Sequence, residues 1–231
     1  MTTRYLAALA VASAFATAAC NDNSTTPKQQ TAQVRFINAM SGTNTLTVSQ
    51  GGTAVGSNLS LGQFNTTCAS VPISNSGLTF QSGSTTLSTT GFNPGFQNSG
   101  KYVVFVSGTP TAPIYTTIRT DTPAPASGSA GLYVFNGTTR STAMDVFVGT
   151  GGTFPSSAAV SNLAAAHLSA FVNNVPVGTN VQLRFNNTGT TATPVLTSSN
   201  LTTAAGQTQL AIIVDPASGQ SAYRLFTIAG C

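Results

Sequence analysis

The sequence contains no glutamate and no tryptophan, holds four aspartates and a single histidine, and carries charge on only 5% of its 231 residues. Each shortage closes a class of function. General acid–base and nucleophilic catalysis draw on His, Glu, Asp, Lys and Cys held near one another, and a Ser-His-Asp set here would have to use His167. A zinc site needs three or four ligands. With no second His and no cysteine pair at finger spacing, neither a metal nor a cofactor is expected. No Gly-x-Ser-x-Gly elbow is present. Gly149-Thr150-Gly151-Gly152 is followed by no P-loop lysine and reads as a hairpin loop. The isoelectric point near 9.3 reflects scarce acids. The cations Lys28, Arg35, Lys101, Arg119, Arg140, Arg184 and Arg224 stand singly, whereas a nucleic-acid footprint is clustered. The expectation is neither an enzyme nor a nucleic-acid binder.

The four acids do not make a site. Asp22 lies in a polar tail, Asp121 opens a linker, and Asp215 precedes Pro216 as a turn-forming Asp does. Asp145 alone falls inside a predicted strand, where an outward-facing position is expected. The Asn-x-Ser/Thr triplets at Asn58, Asn65, Asn136, Asn186 and Asn200 follow from the polar composition and are given no role.

At the N-terminus Arg4 precedes an apolar run from Tyr5 to Ala19. That run falls short of the ~20 residues of a spanning helix and fits the h-region of a signal peptide. Thr17-Ala18-Ala19-Cys20 resembles the lipobox of bacterial lipoprotein precursors, with Thr17 where leucine is usual. The resemblance implies a signal peptide over 1–19, a lipid on the thiol of Cys20, and attachment to a membrane through that lipid. Asn21, rather than Asp, leans toward the outer membrane by the same resemblance. Residues 20–31 are polar, as a solvated tether requires. The mature chain would have 212 residues and a side-chain balance of +3.

Two halves of the body repeat. Phe36-Ile37-Asn38-Ala39 matches Val134-Phe135-Asn136-Gly137, and Leu46-Thr47-Val48 matches Met144-Asp145-Val146. Asn58-Leu59, Phe64 and Val71-Pro72-Ile73 match Asn162-Leu163, Leu168 and Val175-Pro176-Val177. Leu78-Thr79-Phe80 matches Leu183-Arg184-Phe185, and Gly100 to Val106 matches Gly206 to Ile212. Short Val/Ile/Phe/Tyr/Thr runs punctuated by Gly, Asn and Ser predict about seven strands per copy. The fold class expected is all-β, as two tandem immunoglobulin-like sandwiches over 32–120 and 131–231. Residues 121–130, with Pro123 and Pro125, form the linker. Tyr102 to Val106 is continuously apolar, as in a central strand. Val160, Leu163, Ala164, His167, Leu168 and Phe171 fall at helical spacing, but the matching segment holds Gly62 and Thr66-Thr67, so strands with a turn are predicted. His167 matches Gln63, a polar surface position.

VRFINA at 34–39, LYVFNG at 132–137 and MDVFV at 144–148 resemble the bacterial family of domain of unknown function 4397, whose members are often lipoproteins with two tandem copies. The resemblance covers essentially all of 32–231 and brings no activity with it. The family's strand Asp is kept as Asp145 but is Thr47 in the first copy, so a role for that carboxylate is not expected to be shared.

Of three cysteines the lipobox accounts for one. Cys68 and Cys231 would face an oxidising compartment, where pairing is favoured. Alternatively Cys68, matched to Val172, is a small buried hydrophobe. The function expected is a cell-envelope lipoprotein with a non-catalytic binding or adhesion role, its partner an envelope glycan or protein. Tyr102, Tyr115, Tyr133 and Tyr223 offer either contact area or strand packing. The alternative is a structural spacer, or a subunit of a surface assembly joined through strand edges.

Overall fold

The computed structural model describes residues 29–40, 45–74, 77–139, 142–191, 193–216 and 220–231. Its elements are all strands. The first eight are β1 (Thr31–Asn38), β2 (Leu46–Gln50), β3 (Thr53–Leu59), β4 (Ala69–Pro72), β5 (Leu78–Ser82), β6 (Thr85–Thr86), β7 (Lys101–Thr109) and β8 (Ala112–Arg119). They form two four-stranded sheets, ordered β4-β1-β7-β8 and β3-β2-β5-β6. Then come β9 (Ala130–Asn136), β10 (Met144–Thr150), β11 (Val160–Leu163), β12 (His167–Leu168) and β13 (Val172–Val175). The chain closes with β14 (Gly178–Asn187), β15 (Leu196–Thr197), β16 (Leu201–Thr203), β17 (Thr208–Val214) and β18 (Arg224–Ala229). These repeat the arrangement: β9 and β17 are central, flanked by β12, β13 and β18, and the second sheet is β11-β10-β14 with β15 and β16.

Each sheet pair closes over its own core, as alternating strands must. Val34, Phe36, Val104 and Val106 meet Leu46, Val48 and Phe80 in the first. Val134, Ala211 and Ile213 meet Met144, Val146, Leu183 and Phe185 in the second. The sandwich class is as expected, but the strand order is not that of an immunoglobulin domain, where the first two strands share a sheet. Here the first strand runs parallel to the penultimate one, Gln33 to Asn38 along Lys101 to Val106 and Gly131 to Asn136 along Thr208 to Ile213. Alternation and turn spacing mark where strands lie, not which sheet each joins.

The parallel registers correct the expected match of the last long strands. Tyr102 pairs with Val34 and Gln209 with Leu132, so Val106 corresponds to Ile213, not Ile212. A one-residue slip exchanges the two faces of a strand. The cause is the preceding turn, where Gly206 (φ 76°) corresponds not to Gly100 but to Ser99, also left-handed at φ 61°.

With the register set, a third core emerges. Ile37, Val103, Phe105 and Ile118 point away from the first sandwich, and Phe135, Leu210, Ile212 and Ile228 away from the second, yet all are at most 3% exposed. They pack against one another, so the two central sheets lie face to face between the two outer ones. Phe105 stacks on Phe135 with centroids 4.7 Å apart. Gly62 belongs to the same contact: a Cβ there would sit 2.1 Å from the ring of Phe226. The continuous apolar runs 102–106 and 210–214 now have a cause, since strands buried on both faces lose the polar half of their alternation.

The segment between the sandwiches is tied down. The Arg119 guanidinium donates to Asp121 at 2.7 and 3.2 Å, holding that carboxyl below its usual pKa, mainly through this hydrogen bond. The Ala126 N–H donates to the Asn173 carbonyl at 2.8 Å, and Gly206 N–H to the Ser129 carbonyl at 2.9 Å. The helical spacing over 160–171 resolves into β11, a turn and β12, with Ala166 left-handed at φ 59°.

Candidate functional site

The predicted lipidation site, Cys20, lies outside the described residues. Among the described residues no helix is long and apolar enough to cross a membrane. Cys68, just before β4, and Cys231, the final residue, are joined by a disulfide with Cα atoms 6.0 Å apart. The reading of Cys68 as a buried hydrophobe therefore falls away. A bulge between Val172 and Val175 makes Ala69, not Cys68, the counterpart of Val172, since both face the same position of the central strand. The bridge spans 163 positions and ties the first sandwich to the end of the second.

Asp145 and His167 are not brought together into a site. The His167 ring is exposed, its Nδ1 lying 2.8 Å from the Ala165 carbonyl. The Asp145 carboxylate accepts the Asn162 N–H at 2.8 Å, the Gly189 N–H at 3.0 Å and the Thr188 hydroxyl at 3.3 Å. It thus holds two loops. Thr47 Oγ1 accepts the equivalent Asn58 N–H at 3.3 Å, so one of these bonds is shared by both copies, contrary to expectation. Asn58 and Asn162 are both left-handed, with φ of 51° and 55°, which turns each N–H out of its ladder and toward that side chain. Gly151 and Gly152, both at positive φ, make the expected hairpin turn. Among the described residues no three His, Cys, Asp or Glu side chains cluster.

Three polar positions were missed in sequence. Asn38 and Asn136 are fully buried. Each donates its amide to a carbonyl at the end of the facing sheet's edge strand, Leu59 at 2.7 Å and Leu163 at 3.0 Å. Each accepts a backbone N–H two residues on, from Met40 at 3.0 Å and Thr138 at 3.2 Å. These amides latch sheet to sheet, and the signal was an identical Asn inside an apolar strand of both copies. Asp215, expected in a turn, is 8% exposed and accepts from the Thr139 N–H at 2.9 Å and hydroxyl at 2.6 Å.

The tyrosines pack. The Tyr102 hydroxyl accepts the Gln97 N–H at 2.9 Å, and Tyr115 leans on Phe80 and Phe92 with centroids 4.9 and 4.8 Å away. Tyr133 leans on Phe171, and Tyr223 borders the second core.

Open space lies along one edge of each sandwich, where the two sheets part. In the second sandwich a groove of about 490 Å³ runs between β11 and the β12–β13 segment, lined by Asn162, His167, Phe171, Asn173 and Asn174 among others. The first has a groove of about 370 Å³ between β3 and residues 64–67, lined by Ser57, Phe64, Asn65 and Thr66 among others. The two occupy equivalent positions. Neither is lined by an acid, lysine or arginine, so a charged ligand would be desolvated there without an opposite charge.

Comparison with known proteins adds one family. The model of a domain of unknown function, DUF4397, matches residues 32–147. That span takes in the first sandwich from the second residue of β1, the connecting segment, β9 and the first four residues of β10, and is shorter than the resemblance over 32–231 expected from sequence. No curated protein matches the chain. Half of the chain thus carries the family's pattern, and it belongs to the DUF4397 family.

Proposed function

We propose that the protein is a cell-envelope lipoprotein acting as a non-catalytic binding or adhesion module. In this reading a lipid on Cys20 holds it at a membrane, the outer membrane being favoured by Asn21, and residues 20–31 are the tether. The second sandwich is a second copy of the family's domain, supported by the shared Asn38/Asn136 latch. The observation that carries the binding reading is the pair of equivalent, uncharged edge grooves. Two sites on one chain raise avidity without new contacts, and the third core fixes their spacing. The partner is an envelope glycan or an envelope protein; no cofactor and no nucleic acid enter.

Labelling cells with an alkyne fatty acid tests the anchor. The wild-type protein should incorporate label and partition with detergent, and Cys20→Ala should lose both. Wild-type protein recovered soluble and unlabelled would remove the anchor. A glycan array and an envelope pull-down that both come back empty would remove the binding role. The structural-spacer alternative has one observation in its favour, the eight-residue edge strand β8 with Ile114 45% exposed. A strictly monomeric mass at high concentration counts against it.

A further inference from the structure

We propose that the stronger of the two ligand sites is a cleft in the second sandwich, lengthened by extra hairpin residues, and that it takes an uncharged oligosaccharide chain. The inference rests on the binding-module reading above. Strands β2 and β10 begin 98 positions apart, at Leu46 and Met144, but β3 and β11 end 104 apart, at Leu59 and Leu163. The second copy therefore holds six more residues, all between Val148 and Val160. They bring Pro155 and Ser157 to a second recess of about 400 Å³, which shares Ala159, Val172 and Asn174 with the 490 Å³ groove. The result is one elongated cleft whose parts each fall in the ~300–1,000 Å³ range of small-molecule sites.

The extra loop is held in place. The Arg184 guanidinium lies between the rings of Phe147 and Phe154, at 4.4 and 4.7 Å from their centroids, a favourable cation–π arrangement. Gly149 makes room for this, since a Cβ there would meet the Thr153 carbonyl at 2.3 Å and the Phe154 ring at 2.6 Å. The equivalent positions of Phe147 and Arg184 in the first sandwich are Ser49 and Thr79, which cannot form such a clamp. A loop fixed before binding costs less ordering entropy on binding.

The chemistry of the lining selects the ligand. Asn162, Asn173 and Asn174 offer amides that both donate and accept, matching hydroxyl groups that do the same. Phe171 adds an apolar surface, and neither recess is lined by an acid, lysine or arginine. An added peptide strand would need a run of free backbone groups. Here β11 is four residues long and is broken at Asn162, where φ is 55° and the N–H is bound to Asp145. Recognition by side-chain amides remains.

The test uses the detergent-purified, lipidated full chain with its disulfide intact, titrated by calorimetry. The probes are maltoheptaose, cellohexaose and chitohexaose, with hyaluronan and polygalacturonate fragments and an extended-peptide library beside them. At least one uncharged glycan should bind. The double change Asn173→Ala with Asn174→Ala, both exposed, should weaken it about tenfold, as loss of two hydrogen bonds implies. Ser84→Ala with Thr85→Ala, both exposed in the first sandwich and lining neither groove, should leave it unchanged. Glycan binding untouched by the Asn changes would overturn the cleft. Binding of anionic glycans or peptides alone, sensitive to those changes, would overturn the sugar class and leave the binding module standing. No binding by any probe or envelope protein would remove both.

Discussion

In the first sandwich the N–H of Phe36 is accepted by the Asn65 side chain at 2.6 Å, while in the second the N–H of Val134 is accepted by the Ser169 hydroxyl at 2.9 Å. Thr47 and Asp145 receive the same turned-out asparagine N–H through a hydroxyl and a carboxylate. Gly62 and Ala166 take the same left-handed turn. The latch asparagines, and the turned-out Asn58 and Asn162, are identical in the two copies. The two copies keep the backbone's demand for a partner at a given place, because an unmet buried N–H or C=O is expensive, and vary the residue that meets it.

The largest effect should come from the contact that joins the copies. Phe105 is fully buried and stacked on Phe135, and Phe105→Ala should cost about 3–5 kcal/mol, the range for a large core ring replaced by Ala. Because the cavity opens between the sandwiches, calorimetry should show one unfolding transition in the wild type and two in the variant. A wild-type transition in the variant would mean that the third core does not couple the copies.

Next in size is the latch. Asn38→Ala and Asn136→Ala each strand a buried carbonyl, Leu59 or Leu163, and a buried N–H, so each should cost about 2–3 kcal/mol, measured by urea unfolding. Losses of similar size are expected because both amides make the same two backbone bonds, to which the Thr138 hydroxyl adds a third on Asn136 at 2.7 Å. A loss confined to one copy would break the equivalence of the sandwiches at its firmest point.

What the sequence disclosed and what it hid separate along physical lines. Strand positions, the hairpin glycines and the two-sided burial of 102–106 were legible because period, φ and hydrophobicity are local properties. The cover over Val103 and Phe105 was not, since an apolar face does not say what lies on it. The register of β7 against β17 is hidden by one residue because glycine marks in the second copy a turn that Ser99 makes in the first. The grooves were invisible for another reason: alanines, asparagines and serines from two sheets carry no titratable or periodic signal.

A smaller effect separates Asp145 from Thr47. Asp145→Ala removes three accepted bonds, two of them from backbone N–H groups, and should cost about 1–2 kcal/mol at its partly exposed position. Thr47→Ala removes one long bond of 3.3 Å and should cost less than about 1 kcal/mol. Equal losses in urea unfolding would mean that the carboxylate's extra bonds to the Thr188-Gly189 turn contribute nothing.

The smallest expected effect is seen only at alkaline pH. Burial against Phe80 and Phe92 raises the Tyr115 phenol to about 12, and its hydroxyl donates to the Ser88 carbonyl at 3.0 Å. The counterpart in the second sandwich is Leu225, since Tyr115 pairs with Val106 as Leu225 pairs with Ile213, and leucine carries no such proton. Below pH 10 the phenol is protonated in both folded and unfolded chains and adds no pH dependence. Between about 10 and 12 the unfolded chain releases the proton while the folded one keeps it, so stability falls as pH rises and levels off above 12. Half-exposure of the ring tempers the size of the fall. Burial also raises Tyr133, so each sandwich holds one phenol of this kind. Urea midpoints between pH 9 and 11.5 should therefore decline less steeply in Tyr115→Phe than in the wild type, and less again when Tyr133→Phe is added. Parallel declines in all three proteins would show that neither phenol is held back from ionising by its packing.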